Sequence, residues 1–288
     1  MTGIPEQLAA LARPVTGGIT WAADRSWGRE SSAVWEITDP AGGCWFVKRH
    51  SSERFHQREV AAYRHWTAAL GPGRTPDLAA ADSQLLAIVI SGLPGQMARD
   101  LRLAPEDERE LHRQAGQLLR RLHDAAAPAP GDPGLARAVQ RVDQYLRCAG
   151  GLLTPPQIAL VRRCTASVLS LAPHLPAVPT HGDAQPRNWL WDQAARQLAL
   201  IDFERAEPGP AVRDMVRLEY GPWDQRPDLR ACFLGGYGRA LTRAEEEALP
   251  CLAALDALSG LHWGILNGDR EVTGRARRTF ARLADFTP

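Results

Sequence analysis

The first ninety residues contain short stretches in which apolar and polar side chains alternate, the spacing of half-buried β-strands. GITWAADRSW and SAVWEITD show this pattern, and the turn-prone segment 27–32, which contains Gly28, separates them. The turn sequence DPAGG then leads into CWFVKRH, so SAVWEITD and CWFVKRH are predicted to pair as a hairpin. A helix is predicted from Glu53 to Leu70, and the apolar run QLLAIVI predicts a buried central strand.

Helical periodicity dominates the chain after the punctuating segment SGLPG. The stretch APEDERELHRQAGQLLRRLHDA has proline and acidic residues in its first turn and an apolar face, which predicts an amphipathic helix. Thr154 with Gln157, and Thr242 with Glu245, have the spacing of capping boxes and predict two further helix starts. Between these two helix starts, NWLWD and QLALID are predicted to form a short β-hairpin.

This order of elements predicts an α+β protein with two lobes. Residues 1–90 form a small β-rich lobe, 91–95 a linker, and 96–288 a larger helical lobe with an internal β-hairpin. The 288 residues are 44% hydrophobic and 23% charged, which is ordinary for a globular chain with a sizeable core.

Charge and cysteine content exclude several classes of function. A net charge of +1 gives no reason to expect nucleic acid or an anionic membrane as a partner. No contiguous apolar run approaches the ~20 residues that span a bilayer. Glu6 stands where a signal peptide would need a basic region and an apolar block, so we expect no export signal. The five cysteines never form C-x-x-C, so we expect reduced, mostly buried thiols, no zinc site and a cytoplasmic location.

Common catalytic motifs are absent. The chain has neither H-E-x-x-H nor G-x-S-x-G, and no lysine stands in a Walker A loop. Lysine occurs once, as Lys48 in CWFVKRH, among 34 basic residues. In a chain so biased towards arginine, a single lysine is a candidate for a position where a compact point charge is needed.

The most informative stretch is THGDAQPRNWLWD followed by QLALIDFE. Asp183 precedes Asn188 by five residues, and Asp202 ends the second strand of the predicted hairpin. A hairpin that returns Asp202 beside Asn188 would offer a carboxylate and an amide oxygen to one metal ion, ligands that suit Mg²⁺. Asp183 would then face the space in front of that ion.

These residues resemble the signature of the aminoglycoside phosphotransferase and choline kinase group, small-molecule kinases with a protein-kinase-like fold. The resemblance spans residues 20–220 and includes GPAVRD, whose last residue is Asp214. Two positions depart from the pattern: Gln185 stands where many relatives have histidine, and Glu204 replaces the glycine of protein kinases.

The resemblance implies a role for each matched residue. Lys48, held by Glu59, is expected to bind the α- and β-phosphates of ATP, with GTP as the alternative nucleotide. Asn188 and Asp202 are expected to hold Mg²⁺, and Asp183 to orient the acceptor hydroxyl and take its proton late in the transfer. The residues expected to contact the nucleotide base are Ile90, Ser91 and Leu93.

The implied function is O-phosphorylation of a hydroxylated antibiotic, either an aminoglycoside or a nucleoside type such as a capuramycin, for resistance or producer self-protection. Two alternatives stay open. One is a metabolic kinase for choline, homoserine or a sugar, and the other is a kinase-like binding protein without catalysis. The partner is a small-molecule acceptor, and the protein is expected to be a monomer or a homodimer.

Acceptor selection is expected in the C-terminal helices. The acidic run Glu245–Glu247 suits a polycationic aminoglycoside, whereas the arginine-rich GDREVTGRARRTFARLADF does not. Aromatic and amide residues in LHWGILNGD suit a less cationic sugar or nucleoside.

Overall fold

A computed structural model describes residues 3–26, 32–130 and 139–287 of the chain. The N-terminal lobe is a five-stranded antiparallel sheet with the strand order β1-β2-β3-β5-β4. Its strands are β1 (Trp21–Asp24), β2 (Ser32–Thr38), β3 (Cys44–His50), β4 (Leu78–Asp82) and β5 (Ala87–Ser91). Within the described part of this lobe, the helices are α1 (Glu6–Thr16) and α2 (Glu53–His65).

Successive side chains of β5 point to opposite faces of the sheet and pack into two separate hydrophobic clusters. Ala87 and Val89 join a cluster with residues of α1, while Ile88 and Ile90 face the opposite way, into the core shared with α2 and the second lobe. Both faces of the sheet are therefore covered, which explains why QLLAIVI is continuously apolar.

The C-terminal lobe is mainly helical and contains a β-hairpin. Its helices are α3 (Pro105–His123), α4 (Val142–Ala149), α5 (Pro155–Leu171), α6 (Val216–Glu219), α7 (Pro227–Tyr237), α8 (Arg243–Leu266) and α9 (Arg270–Arg282). Its strands are β6 (Gln96–Met97), β7 (Ala177–Thr180), β8 (Trp189–Asp192), β9 (Gln197–Leu200) and β10 (Glu207–Pro210). The α+β two-lobed fold is confirmed, while the boundaries at residues 90 and 95 stay a prediction.

The predicted hairpin forms between β8 and β9, with Trp189 opposite Leu200. The backbone nitrogen of Ile201 donates to the carbonyl oxygen of Asn188 at 3.1 Å. Trp189 and Trp191 are fully buried and anchor the hairpin to the lobe. The pairing brings the segments that carry Asn188 and Asp202 side by side.

Close backbone contact defines the crossing of α3 and α7. A Cβ added to Gly236 would lie 1.8 Å from the carbonyl oxygen of Arg113, and one added to Gly116 would lie 2.0 Å from that of Phe233. Glycine at both positions lets the two helices approach more closely than side chains would allow.

Some local predictions need correction. The helix predicted from Glu53 to Leu70 ends at His65, because Trp66 leaves helical geometry (φ −122°) and a 3₁₀ turn, Thr67–Leu70, follows. Helix α1 is an element that the sequence analysis does not predict, and it buries Leu8, Ala9 and Ala12. The thiols are not mostly buried, because among the five cysteines only Cys164 and Cys251 are. The predicted turn around Gly28 lies outside the described residues.

Helix α8 also departs from expectation. By length and composition it is apolar enough to cross a membrane, although contiguous apolar runs indicated no such segment. Of its most apolar window, 56% is buried inside the protein, where α8 packs against α5 and α9. A buried core helix also meets these criteria of length and apolar composition.

Candidate active site

A cleft of about 700 Å³ separates the two lobes. Strands β2, β3 and β5 line it from one side, and the β8–β9 hairpin, α8 and α9 line it from the other. All the predicted nucleotide and metal residues lie on its wall: Lys48, Glu59, Ile90, Ser91, Leu93, Asn188 and Asp202.

Lys48 lies at the centre of a cluster of carboxylates. It projects from β3, and its Nζ lies 2.7 Å from Glu59 Oε2, 2.6 Å from Asp202 Oδ1 and 3.0 Å from Glu204 Oε2. Lys48 is 7% exposed and Glu59 is 1% exposed, so the ion pair between these two residues is shielded from water. His50 Nε2 also lies 2.6 Å from Glu59 Oε2, which fixes that side chain from a second direction.

Burial and charge together set the pKa values of this cluster. Burial by itself would lower the pKa of Lys48, but Asp202, Glu59 and Glu204 outweigh it and raise that pKa well above its usual range. Burial would raise the pKa of Glu59, but the charge of Lys48 and the hydrogen bond with His50 lower it to about 2. Burial raises the pKa of Glu204, and the nearby Asp202 and Glu59 carboxylates add to that effect while Lys48 opposes it.

The donor set suits a divalent cation. Three carboxylates surround the one ammonium of Lys48, so the cluster carries excess negative charge that a cation would neutralise. Asn188 Nδ2 donates to the backbone oxygen of Asp183 at 2.9 Å, while its amide oxygen accepts no hydrogen bond within the described part of the chain. The Asp202 side chain is 33% exposed in the cleft and has a left-handed backbone (φ 67°). Asn188 and Asp202 are therefore fitted to bind Mg²⁺.

Asp183 lies in a network of donors at the edge of the cleft. Arg187 donates to Asp183 Oδ2 at 2.6 Å, and Arg217 and Gln185 both donate to Oδ1. Burial by itself would raise the pKa of Asp183, but Arg217, Arg187 and Arg205 outweigh it and hold that pKa far below its usual range. At 3% exposure Asp183 does not itself line the cleft; Arg187 and Arg217 do.

Asp214 braces the loop that carries Asp183. Its carboxylate accepts from the backbone nitrogens of His181 and Gly182, each at 2.7 Å, and lies 3.1 Å from His123 Nε2. Burial by itself would raise the pKa of Asp214. The hydrogen bond with His123 is the largest of several contacts that outweigh burial and lower this pKa. Gly182 has a left-handed backbone (φ 74°), and a Cβ there would lie 2.2 Å from the carbonyl oxygen of Arg205.

The region predicted to bind the nucleotide base is apolar with few free backbone donors. Ile90 is 8% exposed and forms part of the wall. The backbone nitrogen of Ser91 donates to Asp77, and that of Gly92 donates to Cys44. The backbone nitrogen of Leu93 has no hydrogen-bond partner among the described residues, which leaves it as a donor for a ligand.

Several lining residues were not singled out from the sequence. Arg217, on α6, bridges Asp183 and Asp256, with Nη2 lying 2.8 Å from Asp256 Oδ1. Arg187, Arg205 and Arg275 line the same end of the cleft. Arg275 belongs to the arginine-rich segment noted in the sequence, but nothing in that segment distinguishes it from the arginines on the outer face.

Comparison with known proteins agrees with this architecture. A macrolide 2′-phosphotransferase of type I matches with a TM-score of 0.66, 19% identity and full coverage of both chains (100% and 100%). An aminoglycoside phosphotransferase solved with GDP and kanamycin matches with a TM-score of 0.70 at 15% identity, over 98% of this chain and 100% of that one. A spectinomycin phosphotransferase solved with ADP and spectinomycin gives a TM-score of 0.64 at 14% identity, over 100% and 96%. No curated protein sequence matches the chain.

The similarity to these solved structures establishes the fold, and a match to a family model establishes the family. The model described as "Phosphotransferase enzyme family" matches residues 24–255, which include every predicted site residue. The resemblance found in THGDAQPRNWLW and LIDFE is thereby confirmed. The chain belongs to the phosphotransferase enzyme family and is a phosphotransferase with a hydroxyl group as acceptor.

Proposed function

We propose that the protein transfers the γ-phosphate of ATP, with Mg²⁺, to a hydroxyl of a small-molecule antibiotic of the aminoglycoside or nucleoside type. One observation carries the proposal. A single cleft holds a buried lysine among carboxylates, a pair of oxygen donors suited to Mg²⁺, and an ionised aspartate directly behind its wall. This is the set of groups that phosphoryl transfer requires.

The N-terminal half of the cleft suits the nucleotide. Val34, Phe46 and Ile90 offer an apolar surface to a flat base from one side, and Leu190 and Ile201 offer one from the other. The free backbone nitrogen of Leu93 can donate to a ring nitrogen of that base. Lys48, positioned by Glu59, then binds the α- and β-phosphates at the inner end of the cleft.

Asn188 and Asp202 would hold the magnesium ion through an amide oxygen and a carboxylate oxygen. When bound, Mg²⁺ neutralises charge on the phosphates during transfer. Lys48 contacts Asp202 at 2.6 Å, so the same side chain that binds phosphate also orients the predicted metal ligand. This coupling accounts for a lysine at that position, because a guanidinium would not fit between three carboxylates.

Asp183 orients the acceptor hydroxyl and takes its proton late in the transfer. Its low pKa keeps it ionised, and such a carboxylate is too weak a base to deprotonate a free alcohol in advance. Because Arg187 and Arg217 separate it from the cleft, productive binding requires one of them to turn away from the carboxylate.

Phosphate transfer from radiolabelled ATP tests the proposal. The acceptor panel contains aminoglycoside and nucleoside antibiotics together with choline, homoserine and a neutral sugar, each with ATP or GTP and with or without a magnesium chelator. We expect a labelled phosphate ester of an antibiotic, formed from ATP and lost on chelation. A labelled ester of choline, homoserine or the sugar alone would instead identify a metabolic kinase. Nucleotide binding without any labelled product would favour a binding protein.

A further inference from the structure

Charge is unevenly distributed along the cleft. Glu36, Glu59, Asp202 and Glu204 lie at the end where the nucleotide is proposed, and there Glu36 pairs with Arg25 at 2.8 Å. The opposite end is lined by four arginines, which are Arg187, Arg205, Arg217 and Arg275. Asp183 and Asp256 pair with Arg187 and Arg217 there, and Asp100, which also lines the cleft, lies 3.4 Å from Arg99. Cations therefore outnumber anions at that end.

Two of these arginines have spare donors. Arg187 and Arg217 already donate to Asp183, and Arg217 also donates to Asp256. Arg275 and Arg205 make no side-chain hydrogen bond or close ion pair with any residue that the structure describes, although Arg205 lies 5.9 Å from the Phe55 ring centre.

Arg275 is a half-buried cation without a close counter-ion. Burial lowers its pKa and the positive charge of Arg217 lowers it further, with Asp256 compensating only in part. An unpaired, partly desolvated guanidinium gains more from an arriving anion than an exposed one does. Its donors therefore favour a ligand with a carboxylate or phosphate.

The surroundings of Arg275 resemble a binding pocket for a small organic molecule. Trp263 and Ser259 of α8, with Val272 of α9, line the cleft beside it. Gly260 lies against Arg275, since a Cβ added there would be 3.9 Å from Arg275 Nη2. An aromatic face next to a charged fork suits a ring that carries one anionic substituent.

The acidic run expected to attract a polycation does not reach the cleft. Glu245 pairs with Arg239 at 2.7 Å, Glu246 with Arg230 at 2.8 Å and Glu247 with Arg243 at 2.7 Å. None of these glutamates lines the cleft. The acidic run that suited an aminoglycoside is therefore paired with arginines outside the cleft.

We infer that the acceptor of this enzyme carries a carboxylate or phosphate group in addition to its hydroxyl, and that Arg275 binds this group. The inference rests on the proposed function and narrows it, because it disfavours polycationic aminoglycosides as acceptors. The ring of the acceptor would lie against Trp263, and its hydroxyl would lie near Arg187 and Arg217, in front of Asp183.

Ligand-observed NMR with four sugars tests the inference at the level of binding. D-Glucuronate, glucose 6-phosphate, D-glucose and D-glucosamine share a hydroxylated ring but differ in charge, and each is titrated into the enzyme saturated with ADP and magnesium. One charge-assisted pairing changes Kd by about tenfold. We therefore expect glucuronate, glucose 6-phosphate or both to bind about tenfold more tightly than glucose, and glucosamine to bind most weakly. Which of the two anionic sugars is preferred distinguishes a carboxylate from a phosphate.

Two arginine variants test whether Arg275 causes the preference for anionic sugars. Arg275→Gln should remove this preference while leaving the Kd of ADP unchanged. Arg277→Gln, on the outer face of α9, should keep it. Equal binding of the four sugars, no detectable binding of either anionic sugar, tighter binding of glucosamine, or a weaker Kd for ADP in Arg275→Gln would each overturn the inference.

The outcome separates the inference from the proposed function. If kanamycin is phosphorylated and the anionic sugars bind no better than glucose, the antibiotic kinase stands and the anionic acceptor is wrong. If the anionic sugars bind through Arg275 but no panel compound is phosphorylated, the acceptor class stands and the antibiotic assignment fails.

Discussion

Lys48 shows how much a single residue contributes to this site. Its ammonium contacts Glu59, Asp202 and Glu204 at once, in a space that leaves it 7% exposed. Removing that charge would leave three carboxylates facing one another without compensation, a cost that the native ion pairs avoid. The only lysine of the chain therefore links the nucleotide-binding residues to the metal-binding ones.

Replacing Lys48 with arginine should impair catalysis although the charge is kept. The planar fork is wider than an ammonium and must displace at least one of the three carboxylates. We expect Lys48→Arg to lower kcat/KM for ATP by about tenfold or more, the loss of one charge-assisted hydrogen bond. Steady-state kinetics measure this, and a kcat/KM equal to that of the wild type would contradict the role given to Lys48.

Asp202→Asn should raise the magnesium concentration needed for half-maximal activity by about tenfold, because the amide keeps the shape but loses the charge that attracts the ion. Asp192→Asn is the matched control. Asp192 accepts from the backbone nitrogen of Ala194 at 2.9 Å in the same hairpin and does not line the cleft. A magnesium titration that is identical for the two variants would place the ion elsewhere.

At the scale of elements, the glycines of α3 and α7 fix how the helical lobe packs. Gly116 and Gly236 stand where each helix meets the backbone of the other. Helix α3 ends at His123, which lies 3.1 Å from Asp214, and Asp214 in turn accepts from the backbone nitrogen of His181 in the loop of Asp183. The position of the loop therefore depends on this helix crossing.

Two neighbouring glycines of α7 should respond oppositely to alanine. In Gly236→Ala the new methyl group meets a backbone oxygen at 1.8 Å, so we expect a loss of about 1–3 kcal/mol in the free energy of unfolding. In Gly235→Ala nothing lies within 4 Å, so higher helix propensity should add up to about 1 kcal/mol. Urea unfolding of both variants measures the difference, and equal changes would show that the crossing is looser than described.

At the scale of the whole molecule, buried carboxylates couple stability to pH. Arginines, Lys48 and histidines outweigh burial and lower the pKa of several buried or partly buried carboxyls, among them Glu59, Asp183, Asp214, Glu245 and Asp256. A depressed folded-state pKa stabilises the protein above the unfolded-state value and ceases to do so as pH falls through the folded value. Glu204, whose pKa burial raises, acts in the opposite direction.

The free energy of unfolding should therefore fall steadily as the pH is lowered from about 5 to about 2. Glu59 and Asp256 have pKa values of about 2, which sets the lower end of this window. Urea unfolding at a series of pH values measures the slope, and Asp256→Asn should make it shallower by removing one titrating group. A free energy that stays constant or rises over this range would contradict the ion-pair assignments.

Sequence reasoning predicted the features that short segments encode, and the structure places the predicted nucleotide and metal residues on one cleft, while their roles stay predictions. The hairpin, the capping boxes and the order of Lys48, Glu59, Asp183, Asn188 and Asp202 are properties of short segments, and the resemblance supplied their spacing. The acceptor end depends on contacts between distant segments. Arg217 bridges Asp183 and Asp256, which are separated by more than seventy positions, and Arg275 becomes a candidate ligand only because α9 packs beside α8. No short pattern could have distinguished these arginines from the many exposed ones.

The most direct test of the catalytic assignment is the turnover number of Asp183→Asn with the acceptor that the transfer panel identifies. Because a positioned base contributes roughly 10²–10⁴-fold, kcat should fall by that factor while the Kd of ADP with magnesium stays that of the wild type. The unchanged Kd also shows that the variant is folded. A kcat within a few-fold of the wild type, with intact nucleotide binding, would contradict the account.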